Sequence, residues 1–228
     1  MFFREVVDLS VEIAEGMPIF RCPKPVIWDW VTHEETAQRY GGRQSLASKA
    51  LYIHEHTGTH LDAPWHFSPR GLTADQLLLG DLILPGKVLD FTRLKGRAIG
   101  EVAIKDAARE QRVEIEPGDA VLLYTGFGDR WVRGEECLEG RAYLAPDGAR
   151  YLLAAQVRLV GIDTIGIENP DDLERPTHNI LLRDHGIPIV EGLCNLGRLR
   201  GERFLFLAFP LKLKGGSGSP LRAAALLV

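Results

Sequence analysis

The sequence has few cysteines, no excess of basic residues and no long hydrophobic run. Its three cysteines, Cys22, Cys137 and Cys194, are odd in number and widely spaced. That spacing excludes a disulfide framework and a C-x-x-C metal motif. We expect reduced thiols, buried or partly exposed, without a catalytic role.

The charge and hydrophobicity patterns exclude two classes of partner. The formal net charge is -4, with no cluster of Lys and Arg, so a nucleic-acid partner is not expected. No stretch of about 18 apolar residues is present, so no membrane-spanning helix is expected. The apolar run at the N-terminus is too short for a signal peptide. These features together predict a cytoplasmic protein with no membrane partner.

Length and composition are those of a globular enzyme-sized chain. The 228 residues are 45% hydrophobic and 25% charged, enough to form a core without disulfides or a structural metal. The glycine-rich segment 215–220 is interpreted as a tight connection rather than a linker, because too little chain follows it to form a domain. We predict a single domain over residues 1–228.

Short apolar runs alternate with helical patterns, especially in the second half of the chain. The predicted strands are Glu5–Leu9, Ser48–His56, Leu82–Phe91 with an interruption at Pro85-Gly86, Asp119–Thr125, Arg158–Thr164, Ile187–Glu191, Arg203–Phe209 and Leu221–Val228. The predicted helices are Glu101–Gln111, Pro146–Ala155 and a helix capped by Thr177 that runs to His185 and stops at Gly186. Residues 16–47 are predicted to form long loops over the site. This alternation predicts an α/β fold with a mixed sheet.

Four of the seven histidines fall within thirteen residues, and an aspartate lies among them. The segment contains His54, His56, His60, Asp62 and His66. Neutral imidazole and carboxylate are suitable ligands for zinc, manganese or iron, and a catalytic zinc takes about three protein ligands. A histidine-rich surface loop is the alternative, but this close spacing favours a metal site. The role of His54 stays open, as a packed group or a support for a ligand.

Gly58 and Pro64 indicate how this segment is folded. They argue against a helix, so we expect a strand end that turns into a loop. Gly58 allows a tight turn that brings His60 back beside His56. His60 and Asp62 are two residues apart and share a face if the chain is extended.

The segment from His56 to His66 resembles the H-x-G-T-H-x-D-x-P-x-H motif of the metal-dependent cyclase family, which includes kynurenine formamidases and isatin hydrolases. The similarity extends over nearly the whole chain, through the segments 159–164, 176–182, 186–192 and 209–222. The resemblance implies a mixed, barrel-like sheet with flanking helices, of the swivelling β/β/α type. It also implies one or two divalent ions per chain, zinc or manganese.

The resemblance implies roles for individual residues. His56, His60 and Asp62 would bind the first ion, and His178 a second. Asp62 and Glu191 would be shared between the two ions. His66 would transfer protons. From their local sequence alone, His178 and Glu191 are weak candidates, since lone polar residues are usually solvated.

The implied activity is hydrolysis of a carbon–nitrogen bond by metal-activated water. The substrate would be an N-formyl aryl amine, such as the N-formylkynurenine of tryptophan catabolism, or a lactam such as isatin. A metal-dependent cyclase or dehydratase is the alternative, and a non-catalytic metal binder is a third class. The sequence lacks a Gly-x-Ser-x-Gly elbow, which argues against a serine nucleophile.

Two aromatic residues are candidates for contact with a flat substrate. Trp65, between Pro64 and His66, is the leading candidate for a pocket wall, and Phe20 is a second. Ordinary core packing is an equally good interpretation of such residues. The expected partner is a small molecule, and we predict a homodimer or homotetramer.

Overall fold

The computed structural model describes residues 3–19, 22–94, 97–135 and 140–228. In this part of the chain the strands are β1 (Glu5–Asp8), β2 (Val26–Val31), β3 (Ser48–Tyr52), β4 (His60–Asp62), β5 (Ile83–Asp90), β6 (Ala98–Ile99), β7 (Ala120–Tyr124), β8 (Tyr143–Leu144), β9 (Leu159–Ile162), β10 (Ile189–Glu191), β11 (Phe204–Leu207), β12 (Gly218–Pro220) and β13 (Ala224–Leu227). The helices are α1 (His33–Arg39), α2 (Glu101–Gln111), α3 (Phe127–Val132), α4 (Pro146–Ala154) and α5 (Pro176–His178), which continues as a π-helix over Asn179–Asp184. Short 3-10 turns cover Pro64–His66, Ala74–Gln76, Leu79–Leu82 and Leu196–Leu199.

Nine of these strands form one mixed sheet in the order β1-β13-β11-β5-β7-β9-β10-β4-β12. The pairs β5–β7, β7–β9 and β9–β10 are parallel, and the other neighbours are antiparallel. The sheet curls into a half-barrel with helices beside it. The predicted α/β class, with a mixed, barrel-like sheet and flanking helices, is confirmed.

Both faces of the central strands are buried, which explains their continuous apolar sequences. On β7, Leu122 packs into the core cluster that contains Phe206 from β11. Its neighbour Val121 points to the other face, into the cluster that contains Ile104 of α2 and Leu152 of α4. Because side chains alternate along a strand, one short apolar run supplies both clusters.

The predicted interruption of the third strand at Pro85-Gly86 is wrong, because β5 runs unbroken through both residues. Pairing with β7 begins only at Gly86. On that side, therefore, Pro85 removes no ladder hydrogen bond. Gly86 lies under the ring of Phe204, where an added Cβ would come within 1.9 Å of a ring carbon. Here glycine permits close strand packing instead of a turn.

Residues 16–47 were predicted as loops, and this is also wrong. They contain β2, which pairs with β3 as a two-stranded sheet, and the helix α1. Thr32 caps α1 in a reciprocal capping box with Glu35. The Thr-x-x-Glu spacing that marks such a box is present in the sequence.

Two details near the second half of the chain also differ from prediction. The helix after β9 begins at Pro176, with Arg175 at its N-cap in a left-handed conformation, so Thr177 lies inside the helix. Segment 215–220 is more than a connection, because Gly218–Pro220 forms β12 beside β4. Gly186, with φ of 65°, follows the helix end as predicted.

The described ranges contain no helix that is both long enough and apolar enough to cross a membrane.

Candidate metal centre

The centre is built on β4, a three-residue strand that is buried throughout. It lies between β10 and β12 in the sheet. His60 and Asp62 project from the same face because they are two residues apart on a strand. In the antiparallel register with β10, His60 is opposite Glu191. The strand pairing thus brings a carboxylate from a distant part of the sequence to the histidine motif.

The turn before β4 brings His56 back to this face. Gly58 adopts a φ of 65°, a left-handed conformation that glycine tolerates without strain. As a result, His56 Nδ1 lies 2.6 Å from Asp62 Oδ1. The chain reversal predicted from Gly58 is present.

His60 and His178 each lie close to both carboxylates of the cluster, those of Asp62 and Glu191. His60 Nε2 lies 3.4 Å from Asp62 Oδ1 and 3.5 Å from Glu191 Oε2. His178 Nε2, from α5, lies 3.7 Å from Asp62 Oδ2 and 3.5 Å from Glu191 Oε1. The structure therefore brings together all five predicted ligands, His56, His60, Asp62, His178 and Glu191.

Each of the three imidazoles is also held through its other nitrogen. His60 Nδ1 donates to the carbonyl of Gly58 at 2.9 Å, and His178 Nδ1 donates to Glu168 at 2.8 Å. Both acceptors lack a hydrogen, so both Nδ1 atoms carry one. The remaining nitrogens, both Nε2, then face the carboxylates.

His56 is held through Nε2, whereas His60 and His178 are held through Nδ1. Ser217 donates its hydroxyl hydrogen to Glu55 at 2.5 Å. Its oxygen therefore accepts from His56 Nε2, which is 2.9 Å away. That arrangement leaves Nδ1 of His56 directed at Asp62.

The pKa shifts show how strongly these groups interact. Burial alone would raise the pKa of Asp62, but the charge and hydrogen bonds of His56 and His178 hold it well below the usual value. Burial would lower the pKa of His60, but Asp62 and Glu191 raise it to about 10. The pKa of His178 is raised well above its usual value by the same carboxylates and Glu168. Protons on the imidazoles thus balance the buried carboxylates, and a bound cation would displace these protons.

The donor set fits a divalent ion. Ligand atoms of His60, Asp62 and Glu191 lie within 4.8 Å of one another, and so do those of His56, Asp62 and His66. Imidazole nitrogen and carboxylate oxygen together suit zinc or manganese. Asp62 belongs to both groups.

His66 lies on the wall beside this cluster, at the end of the 3-10 turn Pro64–His66. Its ring centroid is 4.2 Å from that of His56 and 6.3 Å from that of His178. Part of the residue is exposed, but desolvation of the imidazole by the surrounding side chains lowers the pKa of His66 to about 4. The charge of Asp62 opposes this shift, and the neighbouring histidines add to it. A neutral imidazole in this position can accept a proton.

A cavity of about 320 Å³ opens onto the cluster. Its apolar lining includes Phe67, Trp131 and Ile165. The ring of Phe67 stacks on His178, with the centroids 4.7 Å apart. Such a pocket can hold one small molecule with a flat apolar part.

Of the two predicted substrate contacts, Trp65 is not among these walls. Trp65 is 43% exposed and lies outside the cavity lining. Because Trp65 and His66 are consecutive in a 3-10 turn, they point in different directions, and Phe67 lines the cavity instead. Phe20, the other predicted contact, lies outside the described residues.

Sequence reasoning missed several residues around the centre. Glu55, Ser217 and Glu168 hold the imidazoles, and Arg141 is buried in the cavity wall. Glu55 and Phe67 were signalled only by their positions within or next to the histidine motif. His54 also lines the cavity, and its Nδ1 accepts from the backbone N–H of His56.

The cysteines agree with the prediction where the structure describes them. Cys194 is a buried free thiol, and burial raises its pKa to about 12. Cys22 is a partly buried free thiol at the cavity edge, and burial raises its pKa as well. Neither thiol is set up as a thiolate nucleophile. Cys137 lies outside the described residues.

Known proteins show the same organisation. The chain is 30% identical over 222 residues to a kynurenine formamidase of Salinibacter ruber, covering 96% of this chain and 95% of that protein. The solved structure of an isatin hydrolase bound to the product analogue thioisatinate superposes with a TM-score of 0.86 at 28% identity, covering 98% of this chain and 92% of that one. A structure described as a potential metal-dependent hydrolase with cyclase activity superposes with a TM-score of 0.76 at 31% identity, covering 97% and 96%.

A family model also matches directly. The Cyclase model, described as "Putative cyclase", matches residues 7–169, which include β2 to β9 and the whole histidine motif. This is well over half of the chain. By its sequence and fold, the chain belongs to the cyclase family of metal-dependent hydrolases.

Proposed function

We propose that this protein is a metal-dependent amidohydrolase that uses water to cleave the carbon–nitrogen bond of a formyl amide or a lactam. One observation carries the proposal: three imidazoles and two buried carboxylates converge at the inner end of a cavity large enough for a small molecule. The relatives named above are a formamidase and an isatin hydrolase, and both names refer to this class of bond.

We assign the first ion to His56, His60 and Asp62, and a second ion to His178, with Asp62 and Glu191 shared. The distances among these five side chains support this division. Zinc and manganese are the two candidates, because both accept imidazole and carboxylate ligands. One ion per chain is the alternative to two.

A divalent ion held there supplies a water activated near neutral pH and positive charge for the developing oxyanion. The protein side chains do the rest. Asp62 and Glu191 balance the positive charge of the centre. His66 takes a proton at its imidazole from the attacking water and delivers it to the leaving nitrogen. Its lowered pKa leaves the ring unprotonated at neutral pH, with a free nitrogen that can receive that proton.

The cavity indicates the substrate class. Phe67, Trp131 and Ile165 form apolar walls beside the cluster, and a flat aromatic ring would be in contact with them while its amide faces the imidazoles. N-formylkynurenine, cleaved to kynurenine and formate, and isatin, opened at its lactam, are the two candidate substrates. Both contain an aryl nitrogen bound to a carbonyl carbon.

The test is an activity screen of metal-replete protein against N-formylkynurenine, isatin and simple N-formyl anilines. Formate release identifies a formamidase, and loss of isatin absorbance identifies a lactamase. We expect turnover of at least one of these substrates, and we expect chelator treatment to abolish it. A protein that binds metal but hydrolyses none of them would contradict the proposal.

A metal-dependent cyclase or dehydratase is a second candidate, because the family model and one structural neighbour carry the word cyclase. The two functions differ in their use of water. In H₂¹⁸O, hydrolysis places ¹⁸O in the carboxylic product, whereas ring closure places none. Product mass spectrometry therefore separates them.

We further propose that the chain is a single domain and a homodimer or homotetramer. The single nine-stranded sheet supports one domain, since its strands come from both ends of the chain. The two-stranded sheet of β2 and β3 supports self-association, because four large apolar residues are exposed on it: Trp28, Trp30, Leu51 and Tyr52. Large exposed apolar patches usually mark interfaces. The cytoplasmic location stays a prediction from the sequence.

A further inference from the structure

We infer that Glu168 is a positioning residue for the second ion, holding the His178 ring so that Nε2 is directed into the centre. The inference rests on the metal site proposed above. Glu168 is not a predicted ligand, and within the described residues its carboxylate accepts hydrogen bonds from Thr177 and His178.

The contact between Glu168 and His178 determines which ring nitrogen faces inward. Glu168 Oε2 lies 2.8 Å from His178 Nδ1. A carboxylate can only accept, so Nδ1 carries the hydrogen. The other nitrogen, Nε2, then faces Asp62 and Glu191, at 3.7 and 3.5 Å, and it is the atom that would give up its proton to a bound cation. A histidine ligand needs this tautomer to bind an ion through Nε2.

Glu168 is itself held rigidly. Its side chain is buried, with the residue only 2% exposed. Oε1 accepts from the backbone N–H of Thr177 at 3.3 Å, and Oε2 accepts from that of His178 at 3.0 Å. These bonds anchor both carboxylate oxygens to the start of α5. The same carboxylate therefore fixes the backbone and the ring of His178 together.

Among the three imidazoles of the cluster, His178 is the one whose outward nitrogen, the one turned away from Asp62, donates to a carboxylate. His60 donates to the backbone carbonyl of Gly58, and His56 to the hydroxyl of Ser217. A carboxylate acceptor makes the ring a stronger electron donor than a neutral acceptor does. The second ion should therefore depend on this contact more than the first ion depends on Gly58 or Ser217.

The decisive variant is Glu168→Gln, which keeps the volume but has one acceptor oxygen where Glu168 has two. If the amide oxygen of the glutamine accepts from the His178 ring, its NH₂ group faces the backbone N–H of Thr177, so that a donor faces a donor. The reverse orientation turns the NH₂ group towards the ring N–H. We expect chelator-competition titrations with zinc to show affinity for the second ion reduced by about 10- to 100-fold. Affinity for the first ion should change by less than about threefold, because no first-ion ligand contacts Glu168. Glu174→Gln, which removes an exposed carboxylate from the same segment, is the control and should bind as wild type does.

A double-mutant comparison separates positioning from general destabilisation. In a His178→Ala background the second ion has already lost its imidazole, so adding Glu168→Gln should change zinc binding no further. Equal zinc affinities in Glu168→Gln and wild type would overturn the inference. So would a wild-type protein that binds only one ion per chain.

A measurement on the wild type covers the case in which Glu168→Gln fails to fold. Nitrogen-15 NMR of the zinc-loaded protein should show His178 with a protonated Nδ1 and a metal-bound Nε2. The reverse assignment would refute the role of Glu168. These readouts involve binding and tautomer, so they remain decisive even if the protein hydrolyses none of the substrates in the activity screen.

Discussion

His60 and Glu191 face each other across two antiparallel strands, with His60 Nε2 3.5 Å from Glu191 Oε2. The pairing register of β4 and β10 sets this distance. A shift of one residue in either strand would turn that strand's side chain to the opposite face of the sheet and separate the two groups. Because the backbone ladder holds the two groups, little side-chain entropy remains to be lost when an ion binds.

Replacing Asp62 by Asn should remove the ion-binding capacity of the centre. The change keeps the shape but removes the charge that lies 2.6 Å from His56 and 3.4 Å from His60. We expect metal affinity to fall by at least about 100-fold, and turnover to be lost with it. Plasma mass spectrometry of dialysed protein measures the metal content. Asp106→Asn, on the surface of α2, is the control; normal metal content in Asp62→Asn would refute the assignment.

His66→Ala should separate catalysis from metal binding. If His66 moves protons, turnover falls by about 10²- to 10⁴-fold, and metal content stays as in the wild type. His66 can also reach a point shared with His56 and Asp62, so loss of an ion from this variant would show that it is a ligand instead. His33→Ala, which changes an exposed histidine on α1, should affect neither quantity.

The ion pair between Asp8 and Arg222 should give a small pH-dependent contribution to stability. Hydrogen bonds from Arg222 are the largest of the effects that lower the pKa of Asp8 below 3.8. The unfolded chain therefore binds more protons than the folded chain between the two pKa values, and stability rises with pH there. The contribution is complete above about pH 5 and is lost as the pH falls through the lowered pKa.

Because the pair is exposed, it should contribute only about 0.2 to 1 kcal/mol. Urea unfolding of wild type and Asp8→Asn should show this difference at neutral pH and a smaller one near pH 3. Arg222→Gln should reproduce the same pattern. A difference that is constant with pH would contradict a role for the Asp8 charge in stability.

The exposed two-stranded sheet of β2 and β3 should control the association of copies of this chain. Trp30 is 69% exposed on β2, and Trp30→Ser would remove the most exposed tryptophan that is available to a second copy. We expect light scattering after gel filtration to show a smaller species than the wild type, with an unchanged circular dichroism spectrum. Trp65→Ser changes another exposed tryptophan, outside the two-stranded sheet, and should leave the mass of the assembly unchanged. An unaltered mass for Trp30→Ser would place the interface elsewhere.

Local sequence patterns were sufficient to predict several elements of the fold. Helix α2 has the predicted bounds, and β7 and β9 lie within the predicted apolar runs. These elements are buried on one or both faces, so hydrophobic periodicity alone identifies them. The turn at Gly58 was predictable for a similar reason, since glycine there supplies a backbone conformation that other residues adopt with strain.

Features that depend on distant contacts were not predictable in this way. β5 continues through Gly86 because Phe204 occupies the space beside it, and no local pattern reports a ring from another strand. Glu168 and Ser217 support His178 and His56 only after the sheet has formed. Their own sequence neighbourhoods show an ordinary acid and an ordinary serine.

The position of β4 also determines when the centre can be made during synthesis. The histidine motif leaves the ribosome before residues 189–220, which supply both strands that pair with β4. A nascent chain that has reached only β5 holds His60 and Asp62 without Glu191, His178 or the hydrogen-bond partners of their strand. The five side chains of the centre therefore converge only after these later strands have joined the sheet.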